Sequence, residues 1–243
     1  MAERVAGWLQ SGGIGLVEAG TGTGKSFAYL LPALLCERKV LISTGSRALQ
    51  DQILDKDIPV LAKAWSSQRR VVRLKGRSNY LCPFRLQRAL AEGAAPRLAR
   101  DLLIVADWAS RTGEGDIAEL GALPESSPVW PLVTSTRDNC LGSDCPEYGH
   151  CPVVAARKRA QEADVVVVNH HLLLADLALR VDSRGDLLPR VDAIIIDEAH
   201  QLADLAGQYF GQHLSSHQLL EWSRDSRQAL FAAARDDAEL GVV

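Results

Sequence analysis

The chain has 243 residues, of which 47% are hydrophobic and 23% are charged, and its formal net charge is −3. This composition is typical of a folded globular protein and excludes an intrinsically disordered chain. The longest apolar runs, around residues 165–168 and 194–196, are far shorter than the roughly 20 residues that a membrane-spanning helix needs. The first residues carry Glu3 and Arg4 and no apolar stretch, so we expect no secretory signal, no membrane partner and a cytoplasmic location.

Short apolar or β-branched runs alternate with longer helical patterns along much of the chain. The predicted strands are residues 14–17, 40–43, 71–74, 165–168 and 193–197, and the predicted helices between the first of them are residues 25–36 and 47–54. Such alternation is typical of βαβ units around a parallel sheet. The last two strand patterns are near-continuous apolar runs, which indicates strands covered on both faces. The sequence therefore predicts an α/β fold with a parallel sheet.

The strand pattern is interrupted after Gly76. Residues 76–164 contain most of the cysteines and seven of the ten prolines, with helical patterns at residues 86–90 and 98–109. We interpret this stretch as a small, mostly helical insertion. From residue 202 onward, Leu and Ala recur at helical spacing without a strand pattern. The predicted organisation is an α/β domain in two parts, residues 1–75 and 165–205, with the insertion at residues 76–164 and a further helical segment at residues 206–243.

A glycine-rich segment between a predicted strand and a predicted helix has the composition of a phosphate-binding loop. Its glycines allow main-chain N–H groups to surround phosphate oxygens, and the following helix adds the positive end of its dipole. In such a loop the lysine reaches the β and γ phosphates and the serine hydroxyl binds Mg²⁺. The alternative is a glycine-rich turn without a ligand. The candidate residues are Ala19, Gly20, Thr21, Gly22, Thr23, Gly24, Lys25 and Ser26.

Two carboxylates follow the last predicted strand, at Asp197 and Glu198. A buried strand of an open α/β sheet holds its carboxyl end at the edge where ligands bind. Asp197 is therefore placed to hold Mg²⁺, and Glu198 to orient and deprotonate an attacking water. By itself such a pair is more often a helix cap and a first-turn acid. The upstream phosphate loop favours the catalytic interpretation, with Lys25 as the third catalytic group.

Five cysteines in a reducing compartment indicate a ligand set more than a disulfide framework. Cys140, Cys145 and Cys151 form a close group, and Cys82 lies upstream within the same predicted insertion. Four thiolates suit structural zinc or an iron–sulfur cluster, and their spacing alone does not separate the two. Cys36, on the apolar face of a predicted helix, is expected to be a buried thiol.

Residues 69–100 contain nine basic residues and one acidic residue, Glu92. This imbalance predicts a local cationic surface despite the negative net charge of the chain. The alternative is an ordinary solvated face without a ligand.

Several segments together resemble the DinG and XPD branch of superfamily 2 helicases, and in particular the bacterial YoaA-type group of the DinG family. Residues 197–200 read Asp-Glu-Ala-His, the DEAH box, and residues 42–52 resemble motif Ia of that branch. Residues 74–82, Leu-Lys-Gly-Arg-Ser-Asn-Tyr-Leu-Cys, and residues 167–172, Val-Val-Asn-His-His-Leu, are also similar to it. The resemblance implies a RecA-like P-loop NTPase domain interrupted by an insertion that carries a 4Fe-4S cluster.

The resemblance also implies an activity and roles for particular residues. The activity is that of an ATP-dependent DNA helicase that moves 5′ to 3′ in DNA repair or replication, with ATP and Mg²⁺ as ligands and single-stranded and forked duplex DNA as substrates. Cys82, Cys140, Cys145 and Cys151 would hold the cluster, and His200 would relay the nucleotide state to the motifs that face DNA. We expect a monomer, with replication or repair proteins as possible partners. The residues expected to contact DNA are Thr44, Arg47, Gln50, Arg77 and Tyr80, with Phe84 able to stack on a base.

Two elements of that family are expected outside these residues: an adenine-recognition pattern upstream of the phosphate loop and a second ATPase domain. We therefore expect a partial helicase whose isolated chain hydrolyses ATP near background, with residues 206–243 resembling the entry to the family's arch insertion. Two alternatives stay open. One is an iron–sulfur module that binds single-stranded DNA and has a non-hydrolysing nucleotide site, and the other is a zinc-stabilised P-loop ATPase.

Overall fold

A computed structural model of the chain describes residues 1–20, 22–65, 68–93, 96–181, 185–211, 222–223 and 226–227. The described residues divide into two compact units, one within residues 1–202 and the other after residue 202. None of the helices in these described ranges is long and apolar enough to cross a membrane. Most of the segment predicted to resemble an arch entry lies outside the described residues.

Four parallel strands form the central sheet, in the order β2-β3-β1-β4. They are β1 (Val40–Thr44), β2 (Val71–Arg73), β3 (Val165–Asn169) and β4 (Ala193–Ile196). Val40 of β1 stands opposite Val165 of β3 on one side and Ala193 of β4 on the other. The predicted α/β fold with a parallel sheet is therefore confirmed.

Ten α-helices are described, and the first nine lie around this sheet or in the segment that connects β2 to β3. Residues 53–57 form a single π-helical stretch that joins the third helix to the fourth. The helices are α1 (Ala2–Ser11), α2 (Lys25–Leu35), α3 (Arg47–Gln52), α4 (Ile58–Trp65), α5 (Pro83–Glu92), α6 (Pro96–Ala109), α7 (Trp130–Val133), α8 (Pro152–Glu162), α9 (His170–Val181) and α10 (Leu202–Phe210).

The two faces of the sheet bury separate hydrophobic cores. Side chains alternate across a strand, so Val40 and Ile42 pack with Leu30 of α2 on one face, while Leu41 packs on the other. There the small side chain of Ala160 allows α8 to approach the sheet. A third core is formed by the segment that connects β2 to β3 in sequence, and it is built largely from α5, α6 and α7. Its buried residues are Leu81, Leu86, Leu102, Val105, Trp108, Val129, Trp130 and Val133.

The predicted strand at residues 14–17 is wrong. The segment has no strand pairing, Ile14 is fully exposed, and Leu16 is 92% exposed. An apolar run becomes a strand only where another strand accepts its main-chain hydrogen bonds. Here the chain leaves α1 and comes back against it. Gly15 lies so close to the Trp8 ring that a Cβ atom on Gly15 would stand 2.3 Å from the ring.

The expectation that the last two strands are covered on both faces is confirmed for β3 and wrong for β4. Val165, Val166, Val167 and Val168 are fully buried, because β3 lies between two strands and two layers of helices. In β4, Ile194 and Ile196 are 49% and 39% exposed. Among the described residues β4 is an edge strand whose Ala193 and Ile195 pack against the first core, while the opposite face, with Ile194 and Ile196, is left largely uncovered.

Candidate functional site

The phosphate-loop residues lie on the surface and lead directly into α2. The helix begins at Lys25, and Gly24 precedes it with φ 80 and ψ 26, a left-handed conformation that favours glycine. Gly22 also has a positive φ, of 74. The first turn of α2 therefore points its free N–H groups toward the exposed loop, which is the arrangement an anionic ligand requires. Thr21 lies outside the described residues.

The structure brings this loop next to the DEAH box. Asp197 and Glu198 directly follow β4, and Asp197 continues the ladder because its main-chain N–H donates to the carbonyl of Ser43 at 2.9 Å. Lys25 Nζ lies 3.4 Å from Glu198 Oε1. Two segments separated by 173 residues thus place an ammonium and a carboxylate at one site.

Tyr29 is a member of this site that the sequence analysis missed. Its hydroxyl donates a hydrogen bond of 3.1 Å to Asp197 Oδ2, and its ring is buried in the first core. Burial raises the pKa of Tyr29 far above its usual value, and the Asp197 carboxylate raises it further, so the hydroxyl remains a donor. Tyr29 lies one helical turn after Lys25, and this i,i+4 spacing places both side chains on one face of α2.

Glu198 has a main-chain conformation that is unusual for its residue type. Its φ of 52 and ψ of 44 are left-handed, and it is the one non-glycine residue with positive φ in the described chain. Such conformations cost free energy and are concentrated at functional sites. His200 Nδ1 lies 3.4 Å from Glu198 Oε2, at the exposed side of the same carboxylate.

His170 is a second residue near the site that the sequence analysis did not single out. It is fully buried at the start of α9, and its Nδ1 lies 2.7 Å from Ser43 Oγ. Burial lowers the pKa of His170, and main-chain groups of Asp197 and Glu198 oppose that shift. No periodicity of the sequence signals this position, because the contact joins three separate segments.

Three of the five residues predicted to contact DNA are buried. Thr44 donates to the carbonyl of Ser46, and Gln50 donates to the carbonyls of Leu74 and Val167 at 3.2 and 2.9 Å. The hydroxyl of Tyr80 accepts a hydrogen bond from the main-chain N–H of Lys75, and burial raises the pKa of Tyr80 to about 12. Direct DNA contact by Thr44, Gln50 and Tyr80 is therefore not supported, because their polar atoms hold the fold together.

The other two predicted DNA contacts, Arg47 and Arg77, are at least partly exposed. The guanidinium of Arg47 donates to Asn79 Oδ1 at 3.0 Å and lies 3.6 Å from Glu125. Arg77 borders the large cavity described below. These two side chains remain accessible to a phosphate.

Most of the basic run is engaged in the fold, which corrects the predicted one-sided cationic surface. The acids that neutralise it come largely from other parts of the sequence, so a local count of charges could not reveal them. The ion pairs are Arg70 with Glu162, Arg73 with Asp51 and Asp55, Lys75 with Asp116, and Arg88 with Glu92, while Arg69 and Arg85 donate to main-chain carbonyls.

The four predicted cysteine ligands all line one cavity of about 970 Å³. Burial raises the pKa of Cys82, and the thiols of Cys151, Cys145 and Cys140 raise it further, which indicates that each of them lies within electrostatic reach of Cys82. Within the described ranges, no three His, Cys, Asp or Glu side chains are gathered closely enough to hold a metal ion. Arg77 and Arg157 also line this cavity. Cys36 lies apart from this cavity and packs beside the first core.

Comparisons with known proteins agree with the motifs. The DEAD_2 family model matches residues 139–219. The chain is 52% identical over 242 residues to the ATP-dependent DNA helicase YoaA of Escherichia coli, covering 99% of this chain and 38% of that protein. It is 46% identical over 244 residues to YoaA of Haemophilus influenzae, again covering 38% of the relative. It is 35% identical over 242 residues to the ATP-dependent helicase DinG of Mycobacterium tuberculosis, covering 89% of this chain and 35% of that protein.

The two YoaA relatives match along essentially the whole chain, well beyond the segment that the family model covers. The chain spans about 38% of the length of these relatives. The resemblance that the motifs indicate is therefore confirmed, and the chain belongs to the helicase family of YoaA and DinG.

Proposed function

We propose that this chain is the ATP-binding part of a cytoplasmic DNA helicase that moves 5′ to 3′ on single-stranded DNA and opens forked duplexes. The observation that carries the proposal is the contact between the phosphate loop and the DEAH box, where Lys25 Nζ lies 3.4 Å from Glu198 Oε1. The names of the relatives support the activity, since three of them are ATP-dependent helicases.

The side chains at this contact suit phosphoryl transfer. Lys25 would leave Glu198 and neutralise the β and γ phosphates of ATP, and the freed carboxylate would orient and deprotonate the attacking water. Ser26 and Asp197 would hold Mg²⁺, which neutralises charge on the phosphates, and Tyr29 would fix the orientation of Asp197. We expect an arginine finger, worth about 10³ to 10⁵ in rate, to be supplied by the second ATPase domain that the family resemblance implies.

We also propose that Cys82, Cys140, Cys145 and Cys151 hold a 4Fe-4S cluster. The donor set fits, because four thiolates are the usual ligands of such clusters. A cluster is larger than a single ion, so its thiolates stand farther apart than those of zinc, and a shared cavity without a tight ligand group is compatible with that spacing. The guanidinium groups of Arg77 and Arg157 would face the negative charge of the thiolates.

The separate hydrophobic core built from α5, α6 and α7 supports residues 76–164 as a distinct insertion in the α/β domain. Within this proposal the exposed cations Arg47 and Arg77 would bind the DNA backbone. The buried residues Thr44, Gln50 and Tyr80 would stabilise the surrounding fold without contacting DNA. Arg100 is exposed as well and extends the cationic set.

Binding measurements on the 243-residue chain test the nucleotide and DNA sites. We expect Mg²⁺–ATP to bind and Lys25→Ala or Asp197→Ala to abolish the binding, while single-stranded DNA still binds to both variants. Nucleotide binding that survives both substitutions would refute the proposed site.

Helicase activity is best tested in a chimera in which this chain replaces the matching part of the E. coli YoaA helicase. We expect unwinding of duplexes with a 5′ single-stranded tail and none with a 3′ tail alone, and Glu198→Gln should abolish turnover. A chimera that binds DNA but hydrolyses nothing would favour the non-hydrolysing DNA-binding module. Zinc instead of iron and sulfide in anaerobically purified chain would favour the zinc-stabilised ATPase.

A further inference from the structure

The imidazole of His170 is fully buried, and within the part of the chain that the structure describes only one of its two ring nitrogens has a hydrogen-bond partner. Nδ1 lies 2.7 Å from Ser43 Oγ. Nε2 is also shielded from solvent, and among the described residues no atom forms a hydrogen bond with it. Buried polar atoms in folded proteins are nearly always paired, so an orphaned one marks a site whose partner is supplied in another state or by other means.

His170 follows β3 and Asp197 follows β4, so the two residues lie on either side of Ser43 at the carboxyl end of β1. Main-chain groups of Asp197 and Glu198 favour the charged form of the imidazole, which is the effect of carbonyl acceptors. Because Nδ1 is already engaged by Ser43, Nε2 is the atom left to meet these carbonyls. When the Ser43 hydroxyl donates to Nδ1, a neutral imidazole carries its single N–H on Nε2, directed away from Ser43.

Ser43 stands beside the segment that resembles motif Ia. It is the residue before Thr44 at the end of β1, and its carbonyl accepts the N–H of Asp197 at 2.9 Å. Two residues further along, Gly45 packs closely against Gln201, the residue after the DEAH box. A Cβ atom on Gly45 would stand 2.3 Å from Gln201 Oε1. The end of β1 and the DEAH box are thus packed together directly and through His170.

We infer that His170 is a positioning residue that couples the nucleotide site to the DNA-facing end of β1. When Mg²⁺–ATP draws Lys25 away from Glu198, the strained main chain at residues 197–198 shifts and a carbonyl accepts the Nε2–H of His170. Ser43, held by Nδ1, moves with the imidazole and carries the change to Thr44 and Arg47. The inference rests on the proposed function, since it requires that the chain bind both ligands.

Coupling between two ligands is measured as the ratio of one ligand's affinities with and without the other. The experiment compares the affinity of the 243-residue chain for a single-stranded oligonucleotide in the absence of nucleotide and with saturating Mg²⁺–ATPγS. We expect the two dissociation constants of the unmodified chain to differ by at least about fivefold, the lower end of typical allosteric couplings.

Ser43→Ala removes one oxygen, and His170→Phe removes both ring nitrogens while keeping an aromatic ring. We expect each variant to bind ATPγS and the oligonucleotide separately, but with a ratio between the two DNA affinities that is clearly closer to 1 than that of the unmodified chain, because only the direct main-chain link between Asp197 and Ser43 remains. The double variant should match the single ones, because both substitutions break the same link. His171→Phe is the matched control: the same substitution, one residue along at an exposed position, should leave the ratio unchanged.

A role in folding alone would lower stability without changing this ratio, and urea denaturation of each variant separates the two effects. The inference is overturned if Ser43→Ala, the milder variant, keeps the full ratio, or if the unmodified chain binds both ligands without coupling. Failure of the unmodified chain to bind ATPγS or DNA would instead overturn the proposed function, and this inference with it.

Discussion

Lys75 Nζ lies 2.8 Å from Asp116 Oδ2, and the two side chains are only 4% and 6% exposed. The pair joins the residues after β2 to the turn before residues 117–119, so it ties the predicted insertion to the sheet. Asp51, at the end of α3, stands 3.8 Å from the same ammonium. A buried charge depends on its partner far more than an exposed one does.

Replacing Lys75 by Met should lower the free energy of unfolding by about 3–5 kcal/mol, because Asp116 would be left buried without a counter-charge. Urea unfolding followed by circular dichroism measures the loss. Arg88→Met, which breaks an exposed pair with Glu92, is the control and should cost less than about 1 kcal/mol. Equal losses for the two variants would contradict the burial of Lys75, and Lys75→Met combined with Asp116→Leu should recover most of the stability.

Leu30→Ala should cost about 2–5 kcal/mol of stability, because Leu30 is fully buried beneath the sheet and its removal leaves a cavity. The same substitution at Leu103, which is 65% exposed on α6, should change stability by no more than about 0.5 kcal/mol. Thermal or urea unfolding of both variants checks the difference. A destabilising Leu103→Ala would show that this face of α6 is covered in solution.

Tyr29→Phe should weaken the binding of Mg²⁺–ATP several-fold and leave the binding of metal-free ATP nearly unchanged. The reason is that the tyrosine hydroxyl holds Asp197, the proposed magnesium ligand, while Lys25 and the loop act on the phosphates directly. Isothermal titration with Mg²⁺ and with EDTA provides the comparison. Tyr148→Phe, which removes a hydroxyl from a 44% exposed tyrosine, should affect neither titration. Equal weakening with and without Mg²⁺ would argue against the role of Tyr29.

Arg47→Ala and Arg77→Ala should each weaken the binding of single-stranded DNA and lower the slope of log affinity against log salt by about 0.7, the value for one lost phosphate contact. Tyr80→Phe should leave that slope unchanged, because the Tyr80 hydroxyl is buried against the main chain of Lys75. Fluorescence anisotropy at several salt concentrations measures all three. A changed slope in Tyr80→Phe would restore the original expectation that Tyr80 contacts DNA.

Cys140→Ser should abolish the iron and sulfide content of anaerobically purified chain, because it removes one of four proposed ligands. Cys36→Ser should retain both, since Cys36 stands beside the first core and not at the cavity of the other four cysteines. Elemental analysis and visible absorbance are the measurements. Full iron content in Cys140→Ser would exclude the four-thiolate assignment.

Local patterns were sufficient wherever a feature depends on neighbouring residues. The β-branched runs predicted β1, β2 and β3, and the order of glycines before Lys25 predicted a loop that opens a helix. The same kind of pattern wrongly predicted a strand at residues 14–17, where the apolar side chains of Ile14 and Leu16 are exposed to solvent. A strand forms only where a neighbouring strand accepts and donates its main-chain hydrogen bonds, and the sequence of the segment alone does not reveal whether that neighbour exists.

The sequence by itself determined the fold class, the helicase motifs and the identity of the candidate ligands, because those depend on residue type and order. Only the tertiary structure decided which of these residues are available. It buried Thr44, Gln50 and Tyr80, paired Arg70, Arg73 and Lys75 with distant acids, and placed Tyr29 against Asp197 and His170 against Ser43. The physical reason is that burial and ion pairing depend on contacts between segments far apart in the chain, such as the 168 residues that separate Tyr29 from Asp197.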